Sequence, residues 1–179
     1  LIKKTMALYY PVPEKFEDLV YMGLVLQGQG MRHGMEAHRR NRPYCMGSLP
    51  WQLNDSWPVV SWSAIDYYGN WKAMQYQTRR AFAPVLVNAI REGEKLRVYV
   101  LSDCLKAEKV TLQLEWTDFQ GKIHRRQQVE GMLPVNASEV FYEEDWQKAF
   151  AACDTTASYL RMTLKGKQSR KVLSDEVYY

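Results

Sequence analysis

The hydrophobic period of this chain changes once, at Pro84, and a chain with two periods in sequence must be a composite fold. Before Pro84 the spacing is helical, with one short extended stretch. Residues 14–42 carry no proline, and they open after Pro11 and Pro13 with Glu14, Glu17 and Asp18, carboxylates suited to a helix N-terminus. Phe16, Leu19 or Val20, Gly23, Leu26 or Gln27, Gly30 and Gly34 fall on one face. A glycine inside a helix costs about 1 kcal/mol relative to alanine, so three on one stripe predict a second backbone packed closely there. His38, Arg39, Arg40 and Arg42 complement the dipole at the far end, and Pro43 stops the helix. Met46 to Leu53 reads as a short buried strand, Trp57 to Tyr68 as an irregular loop, and Asn70 to Ala83 as a second helix capped by Asn70. Helix, buried strand and helix make one unit of a (β/α)₈ barrel, and residues just past a barrel strand face the active site. Trp51, Gln52, Asn54 and Asp55 hold that position.

After Pro84 the pattern alternates. Leu96, Val98 and Val100 interleave with Arg97 and Tyr99, and Val110, Leu112, Leu114 and Trp116 interleave with Thr111, Gln113, Glu115 and Thr117. Asp118-Phe119-Gln120-Gly121 is a hairpin signal. Further strands are expected at 122–129, 139–143, 159–165 and 171–179, with a short helix at 145–152. About seven short strands in this length fit an immunoglobulin-like sandwich. The expected fold class is therefore an α+β composite: the last strand and flanking helices of a TIM barrel in residues 1–84, followed by an all-β sandwich in residues 85–179.

Composition narrows the function classes. The net charge is only +4, and the basic residues are scattered apart from Arg39, Arg40 and Arg42 and the pair Arg125 and Arg126, which argues against nucleic acid as a partner. No apolar run approaches membrane-spanning length, and no signal peptide is recognisable. The first residue is Leu1, which suits a segment of a longer protein whose export signal would lie elsewhere. Cys45, Cys104 and Cys153 are an odd, widely spaced set, read as small buried hydrophobes rather than as a disulfide framework or a metal site. No cofactor or metal is expected.

The chemistry concentrates between Met46 and Lys72. Trp51, Trp57, Trp62 and Trp71 stand there among Gln52, Asn54, Asp55 and Asp66, with Pro50, Pro58 and Gly69 at the turns. Indole faces accept the C–H faces of a pyranose, while amides and carboxylates bond its hydroxyls. Tryptophan is equally a core filler, and that reading is kept for Trp57 and Trp62.

The order of residues resembles a family. The runs LVLQGQGMRHGMEAHRRNRPYCMG (Leu24–Gly47), WQLNDSWPVVSWSAIDYYGNWKA (Trp51–Ala73) and RRAFAPVL (Arg79–Leu86) are similar to the end of the catalytic barrel in glycoside hydrolase family 2, most of all its bacterial β-mannosidases. The resemblance implies that a β-sandwich follows the barrel, that Trp51 floors the subsite of the mannosyl ring, and that Asn54 and Asp55 support it. It implies a β-mannoside or oligosaccharide substrate and the remainder of the barrel as partners, with a periplasmic or secreted parent favoured. Retaining hydrolysis needs two carboxyl groups about 5–5.5 Å apart. In the family both are glutamates on the fourth and seventh strands, without counterparts here, so this chain alone is expected to be inactive. Asp55 and Asp66 are the alternative pair, although nothing in their spacing enforces that separation. Asp55 is otherwise expected to accept hydrogen bonds from loop amides or an arginine. For residues 85–179 two readings stand: a structural buttress, which is favoured, or a carbohydrate-binding module with Trp116 and Trp146 as its platform.

Overall fold

A computed structural model describes residues 2–179 and divides them into two units. Residues up to His38 together with Met46–Ala83 form the first; Arg39–Cys45 and Pro84–Tyr179 form the second.

The first unit contains helices α1 (Ile2–Met6), α2 (Phe16–Arg40, whose last two residues belong to the second unit) and α3 (Ala73–Ala81), joined by long irregular segments. Helix α2 follows the expected span, with Glu17 and Asp18 in its first turn. Its close approach to another backbone falls elsewhere on the helix than the glycine stripe indicated. A Cβ on Gly28 would lie 3.1 Å from the backbone of Ala73 at the start of α3, whereas Gly30 and Gly34 face open space and Gly23 meets only the end of Met6. Gly28 is thus where α3 needs a missing side chain.

Two further expectations are corrected. Met46–Leu53 is not a buried strand: residues 46–51 join no ladder, and most of their side chains are exposed. Pairing begins only at Gln52, whose carbonyl accepts from Ala64 N–H (3.0 Å), and continues as isolated bridges from Asn54 to Ile65 and from Ile65 to Trp71. A strand is defined by its neighbours, and among the described residues none runs beside 46–51. Helix α3 starts three residues later than expected. Lys72 stands at its N-cap, while the Asn70 side chain turns back to Asp66 at 3.0 Å.

The second unit is a two-sheet antiparallel sandwich. Strands β1 (Val85–Glu92), β2 (Lys95–Ser102) and β5 (Ala137–Asp145) form one sheet in the order β1-β2-β5. Strands β3 (Lys109–Asp118), β4 (Ile123–Met132), β6 (Ser158–Gly166) and β7 (Val172–Tyr178) form the other in the order β4-β3-β6-β7. The alternation read from the sequence decides which face is buried. Val110, Leu112, Leu114 and Trp116 of β3 meet Leu160, Met162 and Leu164 of β6 and Val98 and Val100 of β2 in one core. Trp116 at its centre is fully buried. The hairpin at Asp118–Gly121 closes by Gly121 N–H to the Asp118 carbonyl at 2.9 Å, with Gly121 at φ 87°. Asp145 caps the short helix α4 (Trp146–Ala149), its carboxylate accepting from Lys148 N–H.

Both long sides of the sandwich are fastened. Across β4 and β5 the Arg125 guanidinium grips the Glu144 carboxylate with two bonds (2.7 and 3.1 Å), and Tyr142 donates its hydroxyl to the same carboxylate at 2.5 Å. Arg125 also lies over the Trp116 ring, 4.5 Å from its centroid. On the other side β1 runs along β7 without a ladder, and Val87 N–H donates to Ser174 Oγ at 3.0 Å. The basic run that ends α2 belongs here. Arg39 and Arg42 both reach Asp103 (3.2 and 2.6 Å), Arg42 also bonds the Ser102 carbonyl, and Arg40 bonds the Asn88 side chain. These arginines do more than complement a helix dipole, since they pin the strap 39–45 to β1 and the end of β2.

Candidate functional site

The loop from Trp51 to Trp71 is organised from one buried cation. Lys72, at the mouth of α3, points its ammonium inward to Asp55 Oδ2 (2.6 Å) and Ser63 Oγ (2.7 Å), with Ser61 Oγ at 3.4 Å. The Lys72 side chain is 9% exposed and that of Asp55 3%. Ser61 donates its hydroxyl to the other Asp55 oxygen, and Ser63 donates onward to the Ile65 carbonyl at 2.9 Å. The hydrogen bond from Lys72, followed by that from Ser61, holds the Asp55 carboxyl down at about 2, so it is ionised throughout the neutral range. A charge pair of this kind is strongly destabilising if one partner is removed, because the other is left uncompensated away from water.

Asp66 has a different task. Its Oδ1 accepts from Tyr68 N–H (2.9 Å) and Asn70 N–H (2.8 Å), a local turn, and these bonds, led by those from Asn70, lower its pKa. Asp55 is a counter-ion and Asp66 a turn former, so neither carboxyl is free for acid/base work. The partner of Asp55 is a lysine and a serine rather than an arginine or loop amides. Lys72, Ser61 and Ser63 were not singled out by the sequence reading. The available signal was a lysine at a helix start between two apolar neighbours, Trp71 and Ala73.

What this brace holds is a display of aromatic surface. Trp51 is 75% exposed, and Trp57 and Trp62 are also exposed. The peptide bond between Trp51 and Gln52 is cis. The Gln52 side-chain amide donates to the Asn54 carbonyl (2.9 Å), and the Asn54 amide donates to the Asp55 carbonyl (3.2 Å), so Trp51, Asn54 and Asp55 belong to one hydrogen-bonded turn. Behind them Gln27 of α2 donates to the Trp62 carbonyl at 2.6 Å. Glu36 pairs with Arg32 one helical turn earlier (2.6 Å), Gln29 accepts from Tyr10, and His33 is exposed. No group of three or more His, Cys, Asp or Glu able to hold a metal occurs among the described residues. No helix among them is long and apolar enough to cross a membrane.

In the second unit Trp116 is core, and Trp146 packs on Phe150 (4.5 Å) and Tyr178 (6.1 Å) under the Arg91 guanidinium. Neither offers an open platform.

Comparison with known proteins agrees with this architecture. The sequence profile of the Mannosidase Ig/CBM-like domain matches residues 94–179. A β-mannosidase of Capra hircus is 38% identical over 96 residues, covering 50% of this chain and 11% of that protein. A β-mannosidase A of Aspergillus terreus is 33% identical over 125 residues, covering 64% and 13%. Among solved structures, a β-D-mannosidase from Dictyoglomus thermophilum superposes with a TM-score of 0.88 at 29% identity, over 99% of this chain and 21% of that one. The exo-chitosanase CsxA of Amycolatopsis orientalis shares the fold at a TM-score of 0.76 and 18% identity, over 98% and 21%. The chain spans less than a fifth of the length of the curated relatives it matches.

A sandwich of the mannosidase immunoglobulin-like type, joined to helices and an aromatic loop shared with glycosidases, defines a segment of a glycoside hydrolase. The chain is similar to a C-terminal part of the β-mannosidases of glycoside hydrolase family 2, and its residues 94–179 match the Mannosidase Ig/CBM-like domain.

Proposed function

We propose that this chain is the closing part of a retaining, exo-acting β-mannosidase that hydrolyses terminal β-D-mannosyl residues. In this reading residues 1–84 complete a (β/α)₈ barrel, residues 85–179 are the sandwich that follows it in sequence, and the acid/base and nucleophile glutamates belong to other parts of the barrel. The observation that carries it is the likeness to a β-D-mannosidase over 99% of the chain at a TM-score of 0.88. The exposed run from Met46 to Trp62 supports it independently. Apolar side chains such as Leu49, Trp51, Leu53 and Trp57 stand in solvent, a surface that needs covering by further strands.

Trp51 is the substrate-binding residue and floors the mannosyl subsite; Asn54 and Asp55 fix its turn, with Asp55 anchored by Lys72. A planar floor favours the flattened ring of the oxocarbenium-like transition state, so it acts on turnover as well as on binding. The experiment is Trp51→Ala in the longer enzyme containing this segment, assayed on an aryl β-mannoside. The catalytic efficiency is expected to fall at least about tenfold, with part of the loss in kcat. Unchanged kinetics would remove Trp51 from the subsite. The 179-residue chain alone is expected to release no chromophore. Turnover that disappears on Asp55→Asn would instead make Asp55 catalytic.

A further inference from the structure

The aromatic loop has almost no packing of its own. Of residues 46–72, only Asp55, Ser63, Ala64 and Lys72 are buried. Its large apolar side chains, Leu49, Trp51, Leu53, Trp57 and Trp62 among them, stand in solvent and cannot hold one another in place. The shape of such a segment depends on the polar joint that it does bury, since interior hydrogen bonds are stronger than those exposed to water.

That joint is the Lys72 ammonium, and its three N–H donors meet three oxygens from two limbs of the loop. Asp55 Oδ2 (2.6 Å) belongs to the limb 51–55, whereas Ser63 Oγ (2.7 Å) and Ser61 Oγ (3.4 Å) belong to the limb 61–65. Ser61 ties the limbs a second time by donating to the other Asp55 oxygen. The backbone repeats the linkage. Lys72 N–H donates to the Ala64 carbonyl (2.9 Å), and Ala64 N–H donates to the Gln52 carbonyl (3.0 Å). Asp55 N–H and the Ile65 carbonyl (3.1 Å), and Ile65 N–H and the Leu53 carbonyl (2.8 Å), extend it. Trp51 leaves the first limb directly before Gln52. Trp62 leaves the second between the two inward-turned serines, 61% exposed, with its carbonyl held by Gln27 at 2.6 Å.

We infer that Lys72 is a positioning residue for the reaction, one that controls turnover by fixing the limb of Trp51 against the limb of Trp62 without touching the sugar. The inference rests on the reading of Trp51 as the floor of the mannosyl subsite. Stability alone does not call for a buried ion pair, because well-packed apolar groups of the same volume serve as well or better. What the pair adds is direction. Each charge-assisted bond has a preferred length and angle, and three of them from one nitrogen leave the two limbs a single relative placement. A stacking floor needs that precision: a displacement of about 1 Å, caused far from the reacting bond, can cost a large factor in rate. The position of Lys72 suits this task, since the start of α3 carries it on a rigid element rather than on the loop that it aligns.

The test is a double-mutant cycle in the longer enzyme containing this segment. Values of kcat and KM for an aryl β-mannoside are measured well below the melting temperature of every variant and referred to folded protein. With Trp51 present, Lys72→Met is expected to lower kcat/KM at least about tenfold, mostly through kcat. In the Trp51→Ala background the same change is expected to cost less than about twofold, because the group being aligned has gone. Ser63→Ala removes one acceptor and keeps the charge pair; it is expected to cost about threefold with Trp51 and nothing without it. A residue that only stabilises the fold would show equal losses in the two backgrounds, or no loss once folded protein is counted. Either result overturns the inference. Should Lys72→Met fail to fold, the Ser63→Ala cycle decides by the same criterion. The two readings fail separately. Unchanged kinetics in Trp51→Ala alone would remove the subsite, whereas a loss there beside full activity in Lys72→Met would remove only the role of Lys72.

Discussion

Trp116 and Trp51 show what separates the two units. Trp116 sits in a shell of strands that this chain supplies completely: β3 carries it, β6 and β2 close over it, and Arg125 covers its ring. Trp51 sits on a loop whose backbone is fixed from one side by Asp55 and Lys72, while its indole stands in solvent. The first unit buries few apolar side chains among the described residues, chiefly Met6, Met35, Ala64, Met74 and Ala81, and spends its strongest interaction on an ion pair. The second unit is ordered by apolar packing and the first by polar bracing. Hydrophobic burial tolerates no removal of volume, whereas a charge pair tolerates no removal of charge. The same residue type therefore carries different consequences in the two places.

That contrast can be broken by experiment. The largest effect should come from Trp116→Ala, which leaves a cavity in the sandwich and should cost about 3–5 kcal/mol in denaturant unfolding of the second unit. Trp51→Ala in the same chain should stay within about 0.5 kcal/mol. Equal losses would mean that Trp51 is structurally buried. Hydrogen exchange comes next. Amides of β2, β3 and β6 should open with free energies at least about 2 kcal/mol above those of α2, since the sandwich closes its own core. Faster exchange in the strands than in α2 would invert the comparison.

Acid should weaken the first unit through Asp55. The folded pKa of Asp55 lies below its ordinary value of 3.8, so its contribution is complete above about pH 4 and is lost as pH falls toward about 2. Fluorescence of the exposed tryptophans should report this transition, and Asp55→Asn should abolish its pH dependence while lowering the neutral-pH stability. An acid midpoint unmoved by Asp55→Asn would assign the transition to another carboxylate. The smallest effect is expected at the surface. Arg161→Ala breaks the pair with Asp175 and should cost about 0.5 kcal/mol or less, a loss that salt also produces in the parent chain.

The sandwich was legible in the sequence because alternation is local information: Val110 to Trp116 states which face is buried, and Asp118 to Gly121 states where the chain turns. The segment 46–53 was not legible as it stands here. Whether an extended stretch is a strand depends on what lies beside it, and that partner is absent from the described residues. Similarly, the glycine stripe marked a face of α2 but could not say that contact falls at Gly28, because the position of α3 is a tertiary fact. Trp51, Asn54 and Asp55 could be grouped by their nearness in sequence, although at the end of an expected strand rather than in a turn. Lys72 could not, since seventeen residues separate it from Asp55 and no periodicity links them.

The strap of residues 39–45 bears on how freely the sandwich can be moved between proteins. A chain started at Pro84 would contain every strand yet lack Arg39, Arg40 and Arg42, leaving Asp103 without two cations and Asn88 and the Ser102 carbonyl without their guanidinium donors. Domain shuffling at the obvious boundary would therefore transplant an incomplete unit. During synthesis the order is reversed as well: the strap leaves the ribosome first and must wait about 60 residues for Ser102 and Asp103 to arrive. Inheritance of this sandwich thus carries the end of the preceding helix with it, and recombination that respects the fold has to cut upstream of Arg39.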